Sequence, residues 1–177
     1  MEDVEYFMKN SAINSLGYTG IVTLSQYSNN KKIVLKQVHN SGSNPLFNFF
    51  ANCLLGDFET AKLELPTKIK LLYAEKDDNT DEITKLESAS GFIYLLNKPE
   101  RLYTESYIAS SSICYSFIIP RDIVERSNFN SIGLYPDAAA EEDVDNHAAI
   151  CMVDGVSGMS TSAVLVVDWE LIITNNN

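Results

Sequence analysis

Residues 162–173 alternate almost without a break. Ala163, Leu165, Val167, Trp169, Leu171 and Ile173 fall on one side, and Val164, Val166, Asp168, Glu170 and Ile172 on the other. Successive side chains of a strand point to opposite faces, so a period of two sustained this long fits a β-strand and not a helix. One face is apolar throughout, while the other turns polar in its second half. Antiparallel sandwich strands read this way when one face meets the core and part of the other meets a partner or solvent. Trp169, flanked on its own face by Val167 and Leu171, is expected between two layers.

The rest of the chain repeats the theme. Gly17 and Gly20 introduce a strand over Ile21 to Tyr27, rich in residues that suit a pleated surface. Ser28, Asn29 and Asn30 supply turn chemistry, and Lys32 to Val38 resumes as a strand, which makes a hairpin. Further strands are expected over Thr67 to Tyr73 (Ile69, Leu71 and Tyr73 on one face), Phe92 to Leu96, Leu102 to Ala109, Ser112 to Ile119, Ser131 to Tyr135 and His147 to Val153. Residues 75–82 read as a solvated loop, as does the acidic stretch around Glu141, Glu142 and Asp143.

One helix stands out, at residues 45–55. Asn44 suits its N-cap, Pro45 its first position and Gly56 the position past its end. Leu46, Phe49, Phe50, Cys53 and Leu54 fall on one stripe, which is expected to pack across the sheet. The fold class expected is therefore mainly β: an antiparallel β-sandwich, jelly-roll-like, with one short α-helix. Residues 1–16 read as an N-terminal arm, 17–174 as a single sandwich domain and 175–177 as a short tail. The arm offers Tyr6, Phe7, Met8, Ile13 and Leu16 as apolar anchors, too few to offset its ordering entropy alone. It is expected to be held by a neighbouring subunit, or else to fold back on its own sandwich.

Charge and composition narrow the function classes. The 177 residues carry a formal net charge of −11, and an acidic surface repels nucleic acid at long range. The densest basic cluster is Lys31, Lys32 and Lys36 on the hairpin, so no nucleic-acid partner is expected. Residues 1–10 have no basic start and no apolar core, which argues against a secretory signal. The longest apolar run, Ala163 to Val167, is far short of the roughly 20 residues of a membrane helix, so no membrane partner is expected. Cys53, Cys114 and Cys151 form no C-x-x-C pair and read as buried reduced thiols in a cytoplasm-folded chain.

Chemistry has few footholds. Gly155-Val156-Ser157-Gly158-Met159 misses the nucleophile-elbow pattern, because Met159 replaces the final glycine, and it reads as a turn between strands. His39 and His147 are the only histidines, each expected as a hydrogen-bonded surface or edge residue. Asp77, Asn79 and Asp81 have the first, third and fifth positions of an EF-hand loop. Glu82 then stands where glycine is needed and Ser88 where glutamate is needed, so a solvated acidic loop is the better reading. No catalytic residue, cofactor-binding residue or metal ligand is assigned, no cofactor is implied and no enzyme is expected.

Three segments carry a resemblance: Tyr115-Ser116-Phe117-Ile118-Ile119-Pro120, Ile132-Gly133-Leu134-Tyr135, and Leu165-Val166-Val167-Asp168-Trp169-Glu170-Leu171. Together with Gly20 to Ser25, His39-Asn40 and a Leu-Phe-x-x-Phe helix, the pattern resembles structural proteins of tailed bacteriophages, of the tail, collar and fibre-attachment kind. It spans most of residues 17–174. Ser131 departs from it, standing where an acidic residue is expected before the Gly-Leu-Tyr turn. The Asn-rich, acidic composition is compatible with a crAss-like phage. The resemblance implies a non-enzymatic virion component, assembled in the host cytoplasm, whose partners are copies of itself and other virion proteins. Large apolar side chains beyond the needs of one core, such as Leu102, Tyr103, Tyr107 and Ile108, are candidate contact faces, or else a second core face. The alternative is a carbohydrate-binding β-sandwich that engages glycan through exposed aromatics.

Overall fold

The computed structural model describes residues 16–42, 44–80, 82–95, 97, 100–103, 110–154, 156, 159–160 and 162–175. Strands β1 (Leu16–Ser28) and β2 (Lys31–Gly42) form the expected hairpin, longer at both ends than the apolar stretches suggested. Ser28 faces Lys31 across a two-residue turn, and Asn29 and Asn30 have φ of 51° and 58°. Two left-handed residues give such a turn a twist that matches its strands, and asparagine adopts that conformation at low cost. Residues 1–15, and with them most of the proposed arm, lie outside the described residues.

Helix α1 (Asn44–Leu55) matches the expected one. It stops at Gly56, whose φ is 76°. The Gly56 amide donates to the Cys53 carbonyl at 3.2 Å and the Asp57 amide to that of Asn52 at 3.0 Å, the paired bonds of a Schellman ending. Asp57 then caps a second helix, α2 (Phe58–Glu64), by accepting from the Thr60 amide at 3.1 Å. The sequence periodicity did not announce α2, since seven residues are too few for a stripe. There follow β3 (Pro66–Lys76), β4 (Ile83–Ser88), β5 (Ile93–Tyr94), β6 (Glu100–Tyr103), β7 (Ser110–Ile119), α3 (Arg121–Arg126), β8 (Ser131–Pro136), β9 (Ala149–Met152) and β10 (Val164–Asn175).

Several features differ from the sequence reading. Among the described residues three helices stand where one was expected, and the strand expected over Phe92 to Leu96 is paired at Ile93 and Tyr94. Of the loop expected over residues 75–82, residues 77–80 and 82 do form the turn between strands, but Glu75 and Lys76 belong to β3, and β4, unanticipated, returns beside it from Ile83. Lys85 on the edge strand β4 sits 3.5 Å from Glu75 and 3.0 Å from Glu87, charges of the kind that guard an exposed edge. The helical stripe, expected to pack across the sheet, does so only at its start. Leu46 is fully buried and Phe50 packs against the core, but α1 then lies chiefly along α2, and Leu54 is exposed.

All strand pairs are antiparallel, in the order β4-β3-β8-β9-β2-β1-β10-β7-β6, with β5 beside β3. Two sheets packed together result, as expected of a β-sandwich. Strand β2 belongs to both: Lys31 to Asn40 pair with β1, whereas Ser41 and Gly42 pair with β9. The register aligns the core in rows. Val38, Val22, Trp169 and Tyr115 lie side by side across four strands, and Leu24, Val167 and Phe117 across three. These meet Ile69, Leu71, Ile132, Leu134, Ala149 and Cys151 of the other sheet. Each valine, leucine or isoleucine among them contributes roughly 1.5–3 kcal/mol when fully buried. Trp169 is fully buried, as expected from its neighbours.

The motifs behind the resemblance are mostly core. Tyr115, Phe117, Ile119, Ile132, Leu134, Tyr135, Leu165, Val167, Trp169 and Leu171 are all buried. Gly133 is required by contact: a Cβ there would meet Tyr135 Cε2 at 2.7 Å and Leu72 Cδ1 at 2.9 Å. The Tyr135 ring folds back over the glycine two residues earlier on its own face. Ser131 donates its hydroxyl to the Leu72 carbonyl at 3.1 Å, which supplies the local hydrogen bond at the position where the pattern has an acidic residue.

Candidate functional site

Strand β3 is buried on both faces, and that follows from what covers its outer one. Lys68, Lys70 and Leu72 alternate with core-facing Ile69 and Leu71, and a period of two would send both lysines to solvent. Instead residues 137–147, with Phe92 from the β5 segment, close over them. Leu72, Tyr135 and Ala139 form a second, small core there, flanked by Leu86, Phe92, Val144 and Ile150. The Lys68 ammonium donates to the carbonyls of Asp137 at 2.9 Å and Ala139 at 2.7 Å. That of Lys70 donates to the carbonyls of Glu141 and, at 3.3 Å, Asp143. Every second carbonyl of the acidic segment thus turns inward to a lysine, while Glu142 and Asp145 stay exposed.

The ring of Phe92 lies between the two cations, 4.2 Å from the Lys68 nitrogen and 4.1 Å from that of Lys70. Ammonium over an aromatic face is favourable, more so when desolvated. The Glu141 carboxylate accepts from the Phe92 amide at 3.1 Å, and Tyr135 donates its hydroxyl to the Val144 carbonyl at 2.6 Å. Burial raises the Tyr135 phenol well above its usual range, so it stays a donor. His147 lies under the same segment, its ring edge-on to Tyr135 at 6.2 Å, and burial lowers its pKa. This clamp is absent from the sequence reading. Its trace was there, in two lysines at alternate positions of a strand and an acidic segment elsewhere, but no spacing connects residue 70 to residue 141.

The residues singled out for chemistry stay apart. His39 is exposed on β2, far in sequence and environment from half-buried His147. Asp77 uses its carboxylate to accept from the Asn79 amide at 2.7 Å, a turn bond; Asp81 lies outside the described residues. Among the described residues no group of three His, Cys, Asp or Glu could hold a metal ion. Of residues 155–159 only Val156 and Met159 are described, and both pack against the core. Cys151 is buried and its thiol is pushed up to about 12, chiefly by desolvation; Cys114 is raised for the same reason. The basic cluster of the hairpin is partly neutralised from within: Lys32 pairs with Asp168, and Lys36 reaches the Val153 carbonyl at 2.7 Å and Asp154 at 3.4 Å.

A groove of about 310 Å³ runs between Ser90 to Ile93 and α3. Ser90 in its wall is committed to structure, accepting from the Leu71 amide at 3.0 Å and donating to the Gly91 carbonyl at 2.8 Å. The more unusual surfaces are apolar. On the outer face of the first sheet one cross-strand row reads Val34, Ser25, Val166 and Ile118, and the next holds Tyr27 and Val164. Val34 and Ile118 are 60% and 42% exposed, where a solvated sheet face is normally polar. At the turn between the first two helices, Leu54, Leu55 and Phe58 are 73%, 78% and 63% exposed. Leu102 and Tyr103 fall on β6 without described side chains, and Tyr107 and Ile108 lie outside the described residues. The antiparallel sandwich is thus the class the fold defines. No family model, curated protein or solved structure matches the chain.

Proposed function

We propose that this chain is a non-enzymatic building block of a tailed-phage virion, multimeric and placed in the tail, neck, collar or fibre-attachment region. One observation carries the reading: the outer face of the first sheet presents an apolar band, Tyr27, Val34, Ile118, Val164 and Val166, in a position that solvent would otherwise fill. Bands of this kind serve as contact faces between proteins. The polar half of the same face, with Asp168 held by Lys32 and accepting from the Ser116 hydroxyl at 2.7 Å, supplies a rim. The three resembling segments support the same reading, since they build the framework on which this face is displayed.

Sedimentation velocity of the purified chain, alone and with co-expressed virion proteins, tests it. Val34→Glu combined with Ile118→Glu is expected to weaken association at least tenfold, about 1.4 kcal/mol, with the fold intact by circular dichroism. A chain that associates with neither itself nor virion proteins overturns the reading. Binding on a glycan array by such a monomer would favour the carbohydrate-binding alternative, for which the exposed ring of Tyr94 is the specific feature.

A further inference from the structure

We infer that β4 is a docking edge for the β4 of a second copy, the two strands pairing antiparallel about a twofold axis at Leu86. This contact is separate from the outer sheet face and does not depend on it. β4 ends the strand order, and every residue of it but Leu86 is exposed. The Ala89 amide donates to the Leu71 carbonyl at 2.9 Å, so Ala89 turns its main chain toward β3. Main-chain groups along an antiparallel strand alternate in direction. Glu87 and Lys85 therefore also turn toward β3, and Thr84, Leu86 and Ser88 turn outward. Among the described residues no strand, turn or loop bonds to these outward amides and carbonyls. Such a row is a template for one more strand.

The strand's own sequence selects both the occupant and its register. With Leu86 opposite its symmetry mate, Thr84 faces Ser88 and Lys85 faces Glu87, each twice across the axis. The outward residues then form the hydrogen-bonded pairs, and Lys85 and Glu87 the closer non-bonded ones, where opposite charges attract. Sliding one copy by two residues keeps the outward groups aligned but sets Lys85 against Lys85, or Glu87 against Glu87. Like charges directly opposite are destabilising, so the charges that guard this edge admit one register of its own copy. β4 is itself neutral, one lysine against one glutamate, although the whole chain carries −11. The acidic turns are also kept apart. The register directs Asp77, Asp78 and Glu82 of one copy toward residues 90–95 of the other, which hold no Asp or Glu. Leu86, packed against the small core of Leu72, Tyr135 and Ala139, gains its symmetry mate as an apolar neighbour. A six-residue edge covers less than the roughly 800 Å² per partner of a standard interface, so the dimer is weak.

Amide hydrogen exchange, followed by NMR over a concentration series of the parent chain, tests this directly. Exchange is expected to slow with concentration at Thr84, Leu86 and Ser88, while the amides of Lys85 and Glu87, already turned to β3, keep their rates. Lys85→Glu and Glu87→Lys alter exposed ion pairs and are expected to leave the melting midpoint near that of the parent. Each sets like charges opposite one another and is expected to raise the dissociation constant about tenfold. The combination Lys85→Glu/Glu87→Lys restores opposite charges across the axis and is expected to return it to within about threefold of the parent. The sheet-face variant Val34→Glu/Ile118→Glu is expected to keep the alternate-amide protection. Amides of Thr84, Leu86 and Ser88 that stay equally labile up to high micromolar concentration overturn the inference. So does a protection that survives either single charge change, or that the double change does not restore. Association that persists with these three amides unprotected also overturns it and leaves the assembly reading standing.

Discussion

Trp169 occupies the middle of the core row that runs from Val38 to Tyr115, and no atom of it of consequence reaches solvent. Its indole nitrogen has no hydrogen-bond acceptor among the described residues, so the side chain acts through shape and apolar area. Truncation to alanine leaves a cavity between two sheets that cannot close around it. Trp169→Ala is expected to cost roughly 3–5 kcal/mol, read as a drop in the urea midpoint or as loss of soluble expression. An unmoved midpoint would mean that the row is not packed as described. Gly20 belongs to the same logic from the opposite side, since a Cβ there would fall on the Asn40 side chain across the hairpin.

Among the elements, the segment over β3 shows how a strand position acquires its meaning from something distant. Lys68 and Lys70 would be ordinary solvent-facing lysines on an uncovered strand. Covered, their ammoniums turn to main-chain carbonyls, and the segment's backbone gains the partners that burial demands. Replacing both by methionine preserves apolar bulk and removes four donated hydrogen bonds. Lys68→Met/Lys70→Met is expected to leave the sandwich folded while residues 137–147 become the first site of limited proteolysis and lose hydrogen-exchange protection. Equal protection in parent and variant would show that Phe92 and Tyr135 hold the segment without the lysines. The turn between the first two helices is the contrasting case: its geometry is local, set by Gly56 and Asp57, while the exposure of Leu54, Leu55 and Phe58 follows from α1 leaving the sheet.

For the whole molecule, pH offers a handle on how the outer segment contributes to stability. Burial holds the His147 pKa below its usual 6.5, with the Val144 carbonyl and the Asp145 carboxylate acting weakly the other way. The unfolded chain therefore takes up a proton more readily than the folded one. The stability associated with the neutral ring is complete above pH 6.5, falls as pH drops below that value, and stops falling once the lower folded pKa is passed. Thermal melts across this window are expected to show a larger drop for the parent chain than for His147→Gln. Parallel curves would place the acid sensitivity elsewhere.

Much of this protein was legible before any tertiary contact was known. Alternation named most strands and put Trp169 in the core, Asn29 and Asn30 marked the hairpin turn, and Gly56 marked the end of the first helix, because each of these depends on local backbone preference or on a period along one stretch of chain. The strand β4, the short helices and the lysine clamp were not legible. An edge strand carries the charges of a loop, helices of six or seven residues have too few turns to show a stripe, and the clamp joins residues some seventy positions apart. Nor could sequence decide which leucines of the helical stripe would be left outside. Burial depends on which surfaces the sheets have already occupied, and that is settled only when the two layers close.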